Sequence, residues 1–541
     1  MGNRIQILDC TLRDGAYIVN SKFGTAAIKG IINKMQDANI EIVECGWLKD
    51  APHQPGTSFF HLPQDVEPYI VSKKKNTAYV AMIDWDRYNL DNLPPYDGKS
   101  IDAIRVVFPC NKFREGIALG KVIKAKGYQV FFQAANTLGY SDDGLVELAE
   151  EINRAKPVSL SVVDTFGAMF SDDLQRIVAI LDKHLDNDIK LGFHSHNNQQ
   201  LSFALTMQFV EMLLKTDRKI IVDASLCGMG RGAGNATTEL VANYLNRKQC
   251  GNYDMNVILD AIDMYMGEFI QNYEWGYSTP YFISGMYCAH VNNIAYLQQN
   301  HRTNAVDMRN IIGSLSESDR KKYDYDLLEQ KYVDYSSKIV DDSQAICSLR
   351  NSFGEREILL VLPGKSVSCQ KEKIQKYIAE KKPIVIGVNA IIDGYDYDYL
   401  FFSNSIRYDF AREIYGEKMG KIKKIITSNV KTQGDEDEII VNFNLTIKRG
   451  WMHFDNSGIM CLRLLNRLNS SDVSLAGFDG FENEYSESYA DLSLPHINPG
   501  TEWDELNNEI NEMFVDFKKS TADCMNIRFI TESLFNKGTE N

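Results

Sequence analysis

The sequence has no pair of cysteines in CxxC spacing, although 10 cysteines occur among its 541 residues. This absence argues against a zinc ribbon and a thioredoxin-type redox site, and a chain of this length with scattered cysteines suggests no disulfide framework. Basic residues are outnumbered, with 58 lysines and arginines against 73 aspartates and glutamates and a formal net charge of -15. General binders of nucleic acid or anionic membranes carry the opposite balance, so neither partner is expected.

Long apolar runs are also missing. No uncharged apolar stretch reaches the length of about 18 residues that a membrane-spanning helix needs. The opening segment, MGNRIQILDCTLRDG, lacks the apolar region of a signal peptide. Hydrophobic residues (44%) and charged residues (24%) are at ordinary globular levels. We therefore expect a soluble protein in the reducing environment of the cytoplasm.

The first 245 residues alternate between short apolar runs and helix-like stretches. Eight runs are predicted as strands: Ile5–Asp9, Glu41–Cys45, Ala78–Asp84, Ala103–Phe108, Gln129–Gln133, Leu160–Asp164, Lys190–His194 and Ile220–Ser225. Eight strand–helix repeats in this length match a (β/α)8 barrel, which typically has about 250 residues. A doubly wound sheet gives a similar alternation, so the count alone does not decide between them.

Polar residues at the predicted strand ends favour the barrel. They lie at or just after the strands' carboxyl ends: Asp9, Glu44, Asp84, Gln133, Asp164, His194 and Asn235. In a barrel these ends converge on one face, where the active site lies. Asp and Asn also end strands as ordinary turn residues, so the argument depends on the whole set. We predict an α/β protein with a TIM barrel over residues 1–250.

Two further regions follow the predicted barrel. Residues 251–348 look helical and aromatic-rich and are predicted as a helical extension, which either packs in the monomer or forms a dimer contact. We expect a homo-oligomer, a dimer. Over residues 349–541 an α/β pattern restarts and predicts an open, Rossmann-like sheet. Its predicted elements are the strands Glu357–Leu362, Lys382–Asn389, Tyr399–Asn404, Lys424–Asn429 and Val473–Asp479 and the helix Ser457–Leu468.

Two histidines in the segment GFHSHN, residues 192–197, form the clearest local motif. Residues two apart on an extended segment point the same way, so His194 and His196 can hold one divalent ion at the barrel mouth. The alternative is a pair of hydrogen-bonded polar histidines at a strand end. After the first strand, Asp14 can add an oxygen ligand, and Arg13 can offset negative charge that develops on a reacting oxygen. A surface salt bridge is the alternative interpretation of that pair.

A third motif follows the eighth predicted strand: GMGRGAGN, residues 228–235. Glycines let the backbone approach a ligand closely, and its N–H groups can hold a phosphate or carboxylate. Asn235 is a candidate metal or substrate contact. The motif is weak evidence on its own.

Together the three motifs resemble the signature blocks of the DRE-TIM metallolyases: TLRDG after the first strand, HSH at the seventh and GAGN after the eighth. The resemblance covers about residues 3–300. It implies metal ligation by Asp14, His194 and His196, with Asn235 reaching the metal site, and enolate stabilisation by Arg13. By the same analogy the metal is Mn²⁺ or Mg²⁺, with Zn²⁺ also compatible with such ligands.

Within the superfamily the chain is most similar to the 4-hydroxy-2-oxovalerate aldolases, which share the compact GAGN loop. Those enzymes place a catalytic histidine where this chain has Tyr17. Tyr17 is a candidate acid or hydrogen-bond donor, because a phenol with a pKa of about 10 is a poor base at neutral pH; alternatively it packs against substrate. The implied reaction makes or breaks a C–C bond beside a 2-oxo acid such as pyruvate, with an aldehyde as second substrate. Candidate substrate contacts are Glu44, Gln133, Asp164 and Thr165.

The C-terminal half gives a fainter resemblance. A P-loop is excluded, because the PGKS segment over 363–366 would need glycine where the chain has Leu359. The remaining order of short motifs is similar to the Rossmann-like domain of flagellin-modification proteins and some bacterial sialyltransferases, which implies a nucleotide-sugar pocket and a role in surface-glycan biosynthesis. The candidate nucleotide-binding residues are Gly364, Lys365, Ser366, Asn389 and Asn404. A structural module without ligand is the alternative.

Two other functions remain open from the sequence. One is a Claisen-type acyltransferase of the citramalate or isopropylmalate synthase kind, which would depend on an acyl-CoA. The other is a non-catalytic barrel that carries a nucleotide-sugar binding or transfer module. An intact Asp14, His194 and His196 set disfavours the second.

Overall fold

The computed structural model describes residues 4–300, 303–336, 340–451, 453–482, 484–495 and 502–536. The chain divides into two units, one with residues 1–291 and 320–322 and the other with residues 292–319 and 323–541. The residues predicted as a helical extension, 251–348, are divided between these units. The division into three regions stays a prediction.

The first unit contains a closed parallel barrel. Its strands are β1 (Ile5–Asp9), β2 (Ile42–Leu48), β3 (Phe59–Phe60), β4 (Ala78–Asp84), β5 (Ala103–Pro109), β6 (Gln129–Ala135), β7 (Ser159–Asp164), β8 (Lys190–Ser195) and β9 (Ile220–Ala224). Strand β1 pairs with both β2 and β9, which closes the ring, while the short β3 pairs only with β2. The predicted TIM barrel is therefore confirmed. Most of these strands are buried along their length, as expected where helices cover a parallel sheet.

Helices surround the barrel and continue after it: α1 (Thr11–Asp14), α2 (Thr25–Asp37), α3 (Phe113–Ala125), α4 (Asp142–Ala155), α5 (Ser171–His184), α6 (Ser202–Leu213), α7 (Thr238–Arg247), α8 (Met255–Ala261), α9 (Gly267–Asn272) and α10 (Thr279–Met286). Helix α4 shows why such segments are helical. Ser141 caps its N-terminus by accepting from the Gly144 N–H, and Leu145, Leu148 and Ile152 form a buried stripe at helical spacing.

Strand β2 has an irregularity that matters for the site. Its pairing with β4 shifts between Glu44 and Gly46, and Gly46 has φ +148°. A side chain at Gly46 would collide with the Ser58 carbonyl, so the bend requires glycine. Such bulges re-aim side chains near active sites. Glu44 consequently faces the barrel interior, fully buried, and Trp47 lies near the mouth.

The second unit contains a seven-stranded parallel sheet with the order β14-β13-β12-β11-β10-β15-β16. Its strands are β10 (Ile358–Val361), β11 (Ile384–Val388), β12 (Tyr399–Phe402), β13 (Lys423–Thr427), β14 (Glu438–Val441), β15 (Asp472–Ala476) and β16 (Asn526–Phe529). Strands β11, β12, β13 and β14 follow β10 in order along one side of the sheet. The chain then crosses back, and β15 pairs with β10 on its other edge. The predicted Rossmann-like α/β sheet is confirmed, with β14 and β16 as additional edge strands.

Helices of the later chain are α11 (Val291–Asn300), α12 (Ala305–Ser314), α13 (Glu317–Arg320), α14 (Tyr325–Ser336), α15 (Ser343–Phe353), α16 (Ser366–Cys369), α17 (Lys371–Lys381), α18 (Ser405–Met419), α19 (Ser457–Arg467), α20 (Tyr485–Ser488) and α21 (Trp503–Thr521). Across the described ranges, none of the helices combines the length and the apolar character that crossing a bilayer requires.

Candidate active site

Three predicted metal ligands meet at the carboxyl end of the barrel. Asp14 ends the short helix α1 directly after β1, while His194 lies on β8 and His196 just beyond it. One ligand atom from each side chain lies within 4.8 Å of the others. The backbone of His196 also pairs with that of Asn235, which brings the glycine-rich loop over 228–235 beside the cluster.

Both histidines are held through Nδ1. His194 Nδ1 lies 3.0 Å from the Asp223 carboxylate, and His196 Nδ1 lies 3.0 Å from the backbone oxygen of Asp164. With Nδ1 engaged in this way, Nε2 remains as the ligating nitrogen; that of His196 is 3.4 Å from Asp14 Oδ2. Burial lowers the pKa of His194 and so favours the neutral ring, the form that binds a metal.

The donor set of this cluster fits a divalent ion. Among the described residues, Asp14 Oδ2 and Asn235 Oδ1 are buried and have no hydrogen-bond partner. Such acceptors cost free energy unless a cation or donor compensates them. A Cβ at Gly230 would come within 2.8 Å of Asp14 Oδ2 and still closer to the Asn235 amide nitrogen, so glycine leaves space between the two side chains. One carboxylate, two imidazoles and an amide oxygen suit Mn²⁺, Mg²⁺ or Zn²⁺.

Arg13 is fixed by two carboxylates beside the cluster. Its Nη1 donates to Asp14 Oδ1 at 2.6 Å, and its Nε donates to Glu44 Oε2 at 2.8 Å. Burial alone would raise the pKa of Asp14, but the Arg13 guanidinium together with His196 and His194 outweighs burial and holds that pKa well below its usual range. Asp14 is therefore anionic at neutral pH, and Arg13 supplies a fixed positive charge next to it.

A second buried arginine, which sequence analysis missed, completes a ring of charges. Arg105 on β5 forms an ion pair with Glu44, its Nη1 lying 2.8 Å from Oε2, and its Nη2 donates to Asp223 on β9, the carboxylate that holds His194. Arg105 is fully buried. The sequence did contain a sign of this buried ion pair. Each of two otherwise apolar predicted strands includes one charged residue, Arg105 in AIRVVF and Asp223 in IIVDA. Since buried charges need partners, the two strands had to supply each other's counter-ion.

At the mouth, Tyr17 belongs to a stack of three side chains. The Arg231 guanidinium lies 3.6 Å from the Tyr17 ring centroid, and Arg231 Nη1 lies 3.3 Å from His290 Nε2. Although 39% of the Tyr17 surface is exposed, loss of solvent around the hydroxyl raises its pKa above the usual value. Tyr17 therefore stays protonated at neutral pH and can act as a donor. Burial, reinforced by Arg231, lowers the pKa of His290 to about 3 and keeps that ring neutral.

An open pocket of about 550 Å³ lies beside Tyr17. It is lined from the loops and ends of β1 to β4 by Tyr17, Trp47, Leu48, Lys49, Phe59, Asp84 and Arg87. Trp47 links this pocket to Arg13, because its indole N–H donates to the Arg13 carbonyl at 3.2 Å and its ring lies 5.8 Å from the guanidinium carbon. We name this feature the mouth pocket.

The other predicted substrate contacts are already engaged in protein hydrogen bonds. Gln133 donates to Ser161 Oγ at 3.0 Å, and the Asp164 carboxylate accepts from the Ala168 and Met169 N–H groups that follow β7. The Thr165 hydroxyl accepts from the Asn136 N–H at 2.6 Å. Glu44 Oε1 has no hydrogen-bond partner within the described ranges. Contact of these four residues with substrate stays a prediction.

In the second unit, only part of the predicted nucleotide-binding set lines a common cavity. The five residues of that set are Gly364, Lys365, Ser366, Asn389 and Asn404. Gly364 and Asn389 line a cavity at the strand ends. The Lys365 ammonium donates to the Ser486 carbonyl at 2.8 Å, Ser366 bonds to Asp479, and Asn404 caps α18. Nucleotide binding by these residues stays a prediction.

Comparisons with known proteins are consistent with this geometry. Residues 111–265 match the family model described as HMGL-like. Oxaloacetate decarboxylase of Mycobacterium tuberculosis is 26% identical over 259 residues, covering 47% of this chain and 74% of that protein. The 4-hydroxy-2-oxovalerate aldolase of Thermomicrobium roseum is 26% identical over 247 residues, covering 45% and 67%.

A solved structure, the N-terminal domain of a candidate aldolase from Bacteroides vulgatus, is 25% identical with a TM-score of 0.45 and covers 54% of this chain and 95% of that chain. The sequence matches concern the barrel half, where the signature motifs meet. The predicted resemblance of the barrel to the DRE-TIM metallolyases, on the branch of the 4-hydroxy-2-oxovalerate aldolases, is confirmed by these similarities.

Proposed function

We propose that the barrel is a divalent-metal-dependent aldolase that makes or breaks a C–C bond beside a 2-oxo acid of the pyruvate type. One observation carries the proposal: the ligand atoms of Asp14, His194 and His196 gather within 4.8 Å, and Arg13 is hydrogen-bonded to Asp14 beside them. A cation site with an adjacent fixed guanidinium is suited to stabilising an enolate.

The chain's own residues supply charge and orientation. Asp14, His194, His196 and the Asn235 oxygen would hold Mn²⁺ or Mg²⁺, which would supply Lewis-acid chemistry toward a 2-oxo acid. As the C3–C4 bond breaks, negative charge collects on the former carbonyl oxygen, and Arg13 offsets part of it. Glu44 holds Arg13 in place through Nε. The mouth pocket is the proposed site of the aldehyde partner.

Proton transfer is proposed for the stack of Tyr17, Arg231 and His290. Cleavage requires removal of the proton from the 4-hydroxyl group, and Tyr17 is a donor rather than a base because its pKa is raised. In the synthetic direction the Tyr17 hydroxyl can supply a proton to the aldehyde oxygen, while the neutral His290 ring holds Arg231 against Tyr17. This pair would replace the single histidine that related aldolases place at the position of Tyr17.

His290→Asn is expected to lower the rate of the aldol reaction by about 10-fold or more, because Arg231 loses the neutral ring that positions it against Tyr17. Metal affinity should be unchanged, because His290 is outside the ligand set. Steady-state kinetics and metal titration separate the two quantities. His184→Asn, at the end of α5, is the matched control. Wild-type cleavage rates in the His290 variant would exclude this role.

The central experiment is exchange of the pyruvate C3 protons in D2O by metal-stripped and metal-reloaded protein. We expect exchange that requires Mn²⁺ or Mg²⁺, needs no CoA and disappears in His196→Ala. Exchange that appears only with an acyl-CoA would instead support the alternative function, a Claisen-type acyltransferase. Absence of exchange with and without acyl-CoA would contradict the proposal of a pyruvate enolate.

For the second unit we propose binding of a nucleotide-linked sugar, and for the whole protein a role in surface-glycan biosynthesis. The support is a parallel sheet with a cavity at its strand ends, where ligands bind in such folds. A cytoplasmic location and a homodimer complete the proposal. A nucleotide-sugar binding or transfer protein without aldolase activity is the alternative, and the exchange experiment distinguishes the two.

A further inference from the structure

The second unit has a cavity of about 640 Å³ at the carboxyl ends of β10, β11 and β15. The connection from β10 leads to β11 on one side, whereas β15 lies on the other side and is reached by a later crossover. The loops that follow β10 and β15 both line this cavity. In open α/β sheets this topological switch point is the usual place for a ligand.

The two loops are held close together by glycines. The Gly364 N–H donates to the Gly477 carbonyl at 3.1 Å, and the Leu362 N–H donates to the Ala476 carbonyl at 2.8 Å. A Cβ at Gly364 would collide with the Gly477 carbonyl and the Asp479 carboxylate, and Gly477 has φ +78°. The crevice floor is therefore backbone, which lets a ligand approach the strand ends closely.

One end of the cavity is suited to an anion. Helix α19 begins there with Ser457 and Gly458, whose N–H groups are in the first turn and have no intrahelical acceptor. Arg407 of α18 also lines the cavity and is 2% exposed, with its guanidinium carbon 5.2 Å from the Tyr489 ring centroid. A helix N-terminus and a buried guanidinium both favour negative charge.

The rest of the wall is suited to a flat ring with polar substituents. Its aromatic side chains are Phe478, Phe481, Tyr489 and Phe535. Phe481 stacks on Trp503 at 5.2 Å, which fixes one of these faces. The Asp479 carboxylate, which accepts from the Ser366 N–H at 2.7 Å, lines the same cavity and can accept from ligand hydroxyl groups. Aromatic faces bind nucleobases by stacking.

We infer that this crevice binds a nucleotide, with its phosphate at the first turn of α19 and Arg407 and its base against the aromatic wall. The inference deepens the nucleotide-sugar role proposed for the second unit and is independent of the barrel's reaction. It also relocates the site from the predicted Lys365 and Asn404 to Arg407, Ser457 and the loop after β15.

The test is calorimetric titration of the full-length protein with uridine, cytidine, adenosine and guanosine, each as nucleoside and as mono- and diphosphate, and with inorganic phosphate. Ser457→Asp is the diagnostic variant. An acidic residue at the start of a helix stabilises the helix, and the new carboxylate can still accept from Asn389 and Ser403, as the serine hydroxyl does. It would repel a phosphate but leave an uncharged nucleoside unaffected.

We expect at least one nucleotide to bind with Kd below about 1 mM. Its affinity should fall about 10-fold or more in Ser457→Asp and in Arg407→Met, whereas Arg412→Met, on the same helix outside the cavity lining, should bind as wild type. Absence of nucleotide binding, unchanged affinity in the Ser457 variant, or equal binding of inorganic phosphate would overturn the inference. Pyruvate exchange by the same preparations tests the barrel separately, so failure of one proposal is distinguishable from failure of the other.

Discussion

Asp14→Asn is expected to reduce metal-dependent pyruvate exchange to background. The substitution keeps the shape of the side chain but removes the anionic ligand, whose pKa Arg13 holds well below its usual range. Metal affinity should fall by more than about 100-fold, since even residues that only orient a ligand cost about 10- to 100-fold when replaced. Exchange followed by NMR and metal titration measure the two effects.

The matched control for Asp14 is Asp172→Asn, an exposed aspartate in the first turn of α5. It should retain wild-type exchange and metal binding. Circular dichroism should show that both variants are folded. If Asp14→Asn retained metal-dependent exchange at a tenth of the wild-type rate or more, Asp14 would not be a ligand and the proposed site would be wrong.

Arg105→Leu is expected to destabilise the barrel by about 3–5 kcal/mol, the cost of removing one partner from a buried ion pair. The loss leaves Glu44 and Asp223 without their shared counter-ion inside the barrel, where neither is solvated. Guanidinium unfolding measures the effect. Metal affinity should fall as well, because Asp223 orients His194.

Two further variants test whether the effect of Arg105 comes from buried charge. Arg114→Leu removes an exposed arginine that pairs with Glu147, and should change stability by less than about 1 kcal/mol. Adding Glu44→Gln to Arg105→Leu should recover part of the loss, since Glu44 would otherwise have only Arg13 as counter-ion, which also pairs with Asp14. Stability of Arg105→Leu within about 1 kcal/mol of wild type would contradict a structural role for the ring of charges.

The barrel was predictable because each strand is short, apolar and followed by a polar residue at the same face. Asp14, His194 and His196 were predictable for a related reason, since two histidines two residues apart share one side of an extended segment. The edge strands β14 and β16 were missed because they are short and their residues are only partly buried. Apolar periodicity is weakest at such edges.

Arg105, Asp223 and His290 could not be assigned to the site from local pattern. Arg105 and Asp223 are 118 residues apart, and only closure of the barrel makes them partners. His290 lies after α10, in a segment whose aromatic composition indicates helix but not its neighbours. Arg231 can contact both Tyr17 and His290 only because the chain segment that contains His290 folds back to the mouth of the barrel. These are long-range contacts that periodicity does not encode.

The mouth pocket has a consequence for how the enzyme can diversify. Its lining comes from the loops and ends of β1 to β4, whereas His194, His196 and Asn235 come from β8 and from the loop after β9. Loops at this face of a barrel tolerate variation independently of one another. In the proposed reaction, substitutions at Lys49, Phe59 or Arg87 are therefore expected to change which aldehyde is accepted while leaving enolate formation intact.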